Sequence, residues 1–220
     1  MSWQGGRPMK FYGQFSPPVD QVIYQRYQKL LSRRPGYYME SGAFDGVTES
    51  NCKFLEESLG WLGINVEPFP HHFQKLQRNR PKSLNMNCAL SSINGTHEFT
   101  HVVHPRLGDD FGNGSLCHTS EHQDNLKQQG CEFRTLKVPT MTYDALVAQS
   151  GFPRIDLLSL DVEGHEIEVL KGMQEERFLP QLICIETGHD RDRKIDDRLR
   201  EMGYEYDGEY LVNSFYVRAA

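Results

Sequence analysis

Residue types that exchange protons or balance a positive charge crowd into one short stretch, 155–172, IDLLSLDVEGHEIEVLKG. Asp161, Glu163 and His165 follow an apolar run that reads as a buried strand, and a short helix is expected from 164 or 165 to Gly172. In open α/β sheets, ligands bind at the carboxyl ends of the strands. Carboxylates there can take up a proton or orient a hydroxyl, and an imidazole, with an ordinary pKa near ~6.5, can act as a base at neutral pH. Glu163 reads equally as a helix N-terminal charge that complements the dipole, and His165 as a helix-start residue facing solvent. Glu186 and His189 follow a second apolar run at 182–186 and face the same cleft if that run lies next in the sheet.

A second group, Glu-Ser-Gly-Ala-Phe-Asp-Gly at 40–46, follows the first predicted strand. Gly42 and Gly46 let the backbone turn sharply and approach a ligand with no Cβ in the way. Their spacing is G-x-x-x-G, not the G-x-G-x-x-G of dinucleotide enzymes. Glu40, just before the glycines, repels a pyrophosphate and suits an ammonium group. By charge, the turn favours S-adenosylmethionine, which carries an α-amino group and a sulfonium and no phosphate. A plain β-α turn would carry the same glycines. Glu67 ends the second predicted strand at the spacing of the acid that accepts both ribose hydroxyls in nucleotide-type folds. A solvated strand-end glutamate is the other reading.

The elements that carry these residues alternate. Ser16-Pro17-Pro18 opens an amphipathic helix over 17–33, with Val19, Val22, Ile23, Tyr27, Leu30 and Leu31 on one stripe. Strands are expected over 37–40, 64–67, 84–90, 155–160 and 182–186, and helices over 48–60, 70–79, 142–149, 166–171 and 194–202. Strands at 95–103 and 133–138 interrupt the alternation and enclose a loop rich in Gly, Asp and His at 105–130. A loop of that length in a compact domain is usually functional. We read it as a lid whose Asp109, Asp110, Asn113 and His118 hydrogen-bond an acceptor. The chain ends in two antiparallel strands turning near Asp207-Gly208. The pattern predicts an α/β protein with an open, mainly parallel sheet and helices on both faces. Residues 1–36 are an arm and helix, and 37–220 the main domain with the lid-like insertion.

Composition narrows the class. The chain has 220 residues, 38% hydrophobic and 25% charged, which excludes a disordered protein. A net charge of −6 argues against a nucleic-acid partner. No apolar run approaches the ~20 residues that span a bilayer, and the N-terminal residues lack the apolar core of a signal peptide, so a cytoplasmic location is expected. Cys52, Cys88, Cys117, Cys131 and Cys184 are odd in number and widely spaced, as reduced packed thiols are; a Cys117–Cys131 pair across the loop is the alternative. Arg78, Arg80 and Lys82, the densest basic patch, read as a solvated helix end. His118 and His122 are i, i+4, yet HTSEH is not H-E-x-x-H and no cysteine pair has zinc-ribbon spacing, so zinc is not expected.

The motifs ESGAFDGVTESN at 40–51, NVEP at 65–68, NCALSSINGTHEF at 87–99, DLLSLDVEGHEIEVLKG at 156–172 and ICIETG at 183–188 resemble the FkbM family of methyltransferases. The resemblance runs from about Tyr38 to the C-terminus. It implies the class I Rossmann-like methyltransferase fold, a mainly parallel seven-stranded sheet with an antiparallel last strand. It also implies S-adenosylmethionine as cofactor and O-methylation of a sugar, glycan or natural-product hydroxyl. Carried onto this chain, Glu40, Gly42, Ala43 and Gly46 hold the methionine half, Glu67 the ribose, and Asn87, Cys88 and Ala89 lie along the adenine. Ordinary strand-end packing would suit Asn87 and Cys88 equally. Asp161 contacts the sulfonium end or the acceptor hydroxyl, with His165 and Glu163 as further candidates for proton transfer. Glu186, His189, His118 and Asn113 face a small-molecule or glycan acceptor. Asp161 and Glu186 have oxygens for magnesium, but Thr187-Gly188 follows where a paired acid belongs, so no metal is expected. The loop at 105–130 is longer and richer in His than the family pattern. The N-terminal helix would cover the acceptor site or form a homodimer contact. Two other readings compete: a catalytically silent module that binds a partner, and a nicotinamide-dependent oxidoreductase, against which the missing G-x-G and the acid before it count.

Overall fold

The computed structural model describes residues 9–32, 34–188 and 193–219. The central sheet is built from β1 (Tyr37–Ser41), β2 (Leu62–Val66), β3 (Leu84–Met86), β7 (Leu157–Leu160), β8 (Leu182–Glu186), β9 (Tyr204–Tyr210) and β10 (Asn213–Arg218), in the order β3-β2-β1-β7-β8-β10-β9. From β3 to β8 every pairing is parallel. β10 inserts antiparallel between β8 and β9. β4 (Ala89–Leu90), β5 (Gly95–Val103) and β6 (Glu132–Met141) form a separate three-stranded sheet, order β4-β6-β5.

The middle strands are apolar because both faces of the sheet are covered. On one face Met39, Ile64, Leu158, Leu160, Ile183 and Ile185 pack with residues of α6 (Tyr143–Ser150), α7 (Glu166–Lys171) and α8 (Lys194–Glu201). On the other, Tyr38, Leu157, Leu182, Cys184 and Phe215 meet α1 (Val19–Arg26), α2 (Gln28–Leu31) and α3 (Lys53–Leu59). Neighbours such as Tyr38 and Met39 point to opposite layers, as strand period two requires. Each buried Val, Leu or Ile contributes about 1.5–3 kcal/mol. An eight-residue helix is marginal alone, so α1 is held by the burial of Val19, Val22 and Ile23 rather than by propensity.

Several boundaries differ from expectation, each for a local reason. The N-terminal helix breaks at Tyr27, and the segment before it is anchored: Asp20 accepts from the amides of Tyr12 (2.7 Å), Gly13 (3.0 Å) and Gln21 (3.0 Å). The helix expected from 48 starts only at Lys53, because Glu40 captures the amides of Asn51 and Cys52. The third strand splits after Met86, and β4 leaves for the second sheet. α4 (Pro70–Asn79) has the expected bounds. About a third of the expected loop 105–130 is helix: α5 (Ser120–Gln128) is capped by Thr119, whose hydroxyl accepts from the His122 amide at 3.2 Å. The last hairpin turns at Leu211-Val212, not at Asp207-Gly208. There the register shifts by one residue, and Gly208 (φ +107°) absorbs a bulge within β9. The described cysteines form no disulfide, and only Cys117 is exposed. No helix among the described residues is long and apolar enough to cross a membrane.

Candidate active site

The turn after β1 is fixed from three sides. The amides of Gly42 and Ala43 donate to the Val66 carbonyl at 3.2 and 3.1 Å. Asp45 accepts from the amides of Val47 (2.8 Å) and Thr48 (2.7 Å), a side-chain-stabilised turn. Gly42 (φ +83°) packs against the backbone of Asp161. Gly46 (φ +77°) lies on Leu76 and on the side chain of Arg80, where a Cβ would come within 2.6 Å of Leu76 Cδ1.

Glu40 does not line the cavity above this turn; it sits beneath it, 4% exposed. Its carboxylate accepts from Ser50 Oγ (2.8 Å) and the amides of Asn51 (2.7 Å) and Cys52 (3.1 Å), with Arg80 Nη1 at 3.5 Å. The expected direct hold on an ammonium group is therefore corrected to support of the loop from below. Burial raises the Glu40 pKa against the pull of Arg80 and these donors. Arg80 is fully buried rather than a solvated helix end.

Glu67 is buried at the end of β2 and does line the cavity. Oε2 accepts from the Phe44 amide (3.0 Å) and Oε1 from the Phe69 amide (2.8 Å). Each carboxylate oxygen has two lone pairs, so both retain capacity for a ligand hydroxyl. Asn87 does not line the cavity; its Nδ2 donates to the carbonyls of Glu67 (2.9 Å) and Pro68 (3.0 Å) and braces that corner. Cys88 is a core residue, its thiol pushed up to about 12 by burial. Ala89 lines the wall with Leu90.

At the ends of β7 and β8, oxygens of Asp161, Glu163 and Glu186 lie within 4.8 Å of one another. Asp161 is exposed in the cavity. Glu186 sits behind it, outside the cavity wall. Burial first, then the charges of Asp161 and Glu163, raise Glu186 to about 10, so the cluster carries a proton at neutral pH. Glu163 lines the cavity in a left-handed conformation (φ +56°), with Oε1 accepting from Asn113 Nδ2 (2.9 Å) and Oε2 3.4 Å from His122 Nδ1. Phe44 (φ +49°) and Glu49 (φ +58°) also line the cavity in strained conformations, each costing about 1–3 kcal/mol. Glu166 closes the turn, accepting from the amides of Val162 (3.2 Å) and Gly164 (3.1 Å). His165 borders the cavity, its pKa lowered by burial. Nε2 meets Ser91 Oγ at 3.1 Å, while Nδ1 has no hydrogen-bond partner among the described residues and is shielded from solvent. His189 lies outside the described residues.

The 105–130 segment covers the cavity with its first half. Leu107, Asp110, Phe111, Asn113 and Leu116 line it, and α5 stands behind. Asp109 holds this cover through His101 (3.2 Å) and Arg134 (3.3 Å), and its carbonyl accepts from His72 Nε2 (2.7 Å). Asp110 pairs with His71 (2.7 Å) and Lys75. His118 does not reach the cavity. It is buried, with Nε2 donating to the Asn113 carbonyl at 2.7 Å. Phe69 stacks on His101 with ring centres 3.7 Å apart.

The cavity these parts enclose has a volume of about 440 Å³. Seven strands in this order, one inserted antiparallel, with a cavity over the ends of β1, β2 and β7, define the Rossmann-like methyltransferase fold. Within that class, residues 40–206 match the FkbM methyltransferase domain, and the chain belongs to that family. It is 29% identical over 154 residues to "Methyltransferase sdnD" of Sordaria araneosa, 56% of each chain. The crystal structure of an FkbM methyltransferase from Methylobacillus flagellatus KT shares the fold, with a TM-score of 0.54 at 13% identity, over 87% of this chain and 46% of that one. The chain thus spans about half the length of either relative.

Ser50, Phe69 and Ser91 were not singled out in the sequence, and Arg80 was read as solvated. Arg80 had a signal: His72, Leu76 and Arg80 are spaced i, i+4, which continues the buried stripe of α4.

Proposed function

We propose that the protein is an S-adenosylmethionine-dependent O-methyltransferase that acts on a hydroxyl of a sugar, glycan or natural product. One observation carries the cofactor assignment. Glu49, Glu67, Asp110, Asp161 and Glu163 line the cavity, and no Lys or Arg is among its described lining residues. A pyrophosphate would lack a cationic partner there. A cofactor with an ammonium and a sulfonium suits such a wall, and family membership supports the same choice.

In this reading Glu67 accepts the ribose hydroxyls, and the backbone of 42–44 lies along the methionine half, while Gly46, which does not line the cavity, shapes the turn from behind. Ala89 and Leu90 line the adenine side with Phe69. The bound cofactor would supply an electrophilic methyl on sulfur, which leaves with the C–S electron pair as the acceptor oxygen attacks. Asp161 orients the acceptor hydroxyl and takes its proton as the C–O bond forms; a positioned base of this kind contributes about 10²–10⁴-fold. Asp161 is preferred to His165 because its side chain is exposed in the cavity, whereas His165 Nε2 meets Ser91 and its Nδ1 is shielded from solvent. Glu163 ties the cover to the catalytic turn through Asn113. The cover shields the transfer from water.

The test is calorimetric titration with S-adenosylmethionine, S-adenosylhomocysteine and NAD, each with and without magnesium, since the three clustered carboxylates have the oxygen chemistry of a hard cation site. Stoichiometric binding of the first two and none of NAD is expected, followed by turnover in a screen of hydroxylated acceptors. No binding at millimolar ligand would leave a silent binding module as the better description.

A further inference from the structure

We infer that Arg80 is a positioning residue for the cofactor turn, acting from beneath it through the Gly46 carbonyl, Ser50 and Glu40. The inference rests on the cofactor reading above and assigns to that site a cation that does not touch the cavity.

Arg80 directly follows α4 and is fully buried. Its guanidinium bridges three parts of the fold: the turn at 46–50, α3 and β1. Nη1 donates to the Gly46 carbonyl at 3.1 Å and to Ser50 Oγ at 3.3 Å, with Glu40 Oε2 at 3.5 Å. Nε donates to Glu56 Oε2 on α3 at 2.7 Å. Nη2 donates to the Tyr38 hydroxyl on β1. Ser50 Oγ in turn donates to Glu40, whose oxygens hold the amides of Asn51 and Cys52. Both ends of the segment 46–52 are therefore tied to one planar, permanently charged fork.

The same segment forms part of the cavity wall. Thr48, Glu49 and Ser50 line the cavity, and Glu49 does so with φ +58°. A strained conformation persists only where its surroundings over-determine it. The Arg80 fork supplies that constraint, and a Lys cannot, because its ammonium is a point donor without the planar geometry. Gly63 supports the arrangement at one remove: a Cβ there would lie 1.7 Å from the Tyr38 ring.

The experiment compares wild type, Arg80→Lys, Ser50→Ala and Leu199→Ala by calorimetric titration with S-adenosylhomocysteine and by thermal melts. Leu199 lies on α8 in the core of the opposite layer and controls for destabilisation alone. Arg80→Lys should lose about tenfold to a hundredfold in affinity, because an ammonium cannot reproduce the planar fork that holds segment 46–52. Ser50→Ala, which cuts the link without removing charge, should lose affinity with a smaller fall in Tm. Leu199→Ala should melt lower yet bind as wild type. Ser50→Ala keeps the test decisive if Arg80→Lys fails to fold. Wild-type binding accompanied by unchanged affinity in Ser50→Ala, or in folded Arg80→Lys, overturns the positioning role alone. Failure of the wild type to bind overturns the cofactor reading and this inference with it.

Discussion

A Cβ built on Gly42 would lie 1.9 Å from the carbonyl oxygen of Asp161, so the ends of β1 and β7 meet backbone to backbone. The contact is made below the cavity and sets how far the glycine turn stands from the Asp161 carboxylate. The amide of Asp161 donates to Ser41 at 3.1 Å, which locks the two strand ends in register.

Gly42→Ala should be severely disruptive. The φ of +83° costs an alanine about 1–3 kcal/mol before any clash, and the clash is with backbone, which cannot step aside. Thermal melts should show a loss of at least about 4 °C, at about 2–4 °C per kcal/mol for a chain of this size. An unchanged Tm would mean that the strand ends separate more easily than this geometry allows.

Asp161→Asn should lower turnover by about 10²–10⁴-fold. Its carboxylate is exposed and stands among Glu49, Glu163 and Glu186, so removing the charge relieves repulsion. Stability should hold or rise. Steady-state kinetics beside a melting curve separates the two effects, and retained turnover would move the base elsewhere.

Glu67→Gln tests the ribose contact. The carboxylate now accepts from the amides of Phe44 and Phe69. An amide side chain would turn its NH₂ toward one of those donors, at about 1.5–3 kcal/mol for the lost charged hydrogen bond. Affinity for S-adenosylhomocysteine should drop about tenfold or more, since 1.4 kcal/mol is a factor of ten. Calorimetry giving the wild-type dissociation constant would refute the assignment.

Glu186 makes stability pH-dependent in a defined direction. Burial and the charges of Asp161 and Glu163 raise its folded pKa from 4.5 to about 10. The folded chain thus holds a proton that the unfolded chain releases. That stabilisation is full below 4.5 and is lost as pH rises toward 10. Between about pH 5 and about pH 9, wild type should lose at least about 3 °C more than Glu186→Gln. Parallel Tm–pH curves for the two proteins would show that Glu186 is already ionised.

Much of the fold was legible because its signals are local. The apolar runs at 157–160 and 182–186 are parallel strands covered on both faces, and α4, α7 and β5 keep their expected bounds. The turn at Asp207-Gly208 misled because a Gly of positive φ serves a bulge as well as a hairpin. Cys88 and His118 misled because strand-end and loop residues read alike whether they face a cavity or the core. Glu40 was placed at the right turn but on the wrong side of it.

By itself the sequence determined which strands form, the glycine turn, the acid that closes β2 and the acidic end of β7. Periodicity, backbone freedom and charge are properties of neighbouring residues. Only the tertiary structure decided which carboxylates face the cavity, that part of the expected lid is helix, and that a basic residue after α4 is buried under the glycine turn. Those outcomes depend on groups from distant segments competing for the same donors: Glu40 is claimed by Ser50, Asn51 and Cys52, and Arg80 by Glu56, Tyr38 and Gly46. A buried charge is stable only where such partners converge, and that convergence is written in three dimensions.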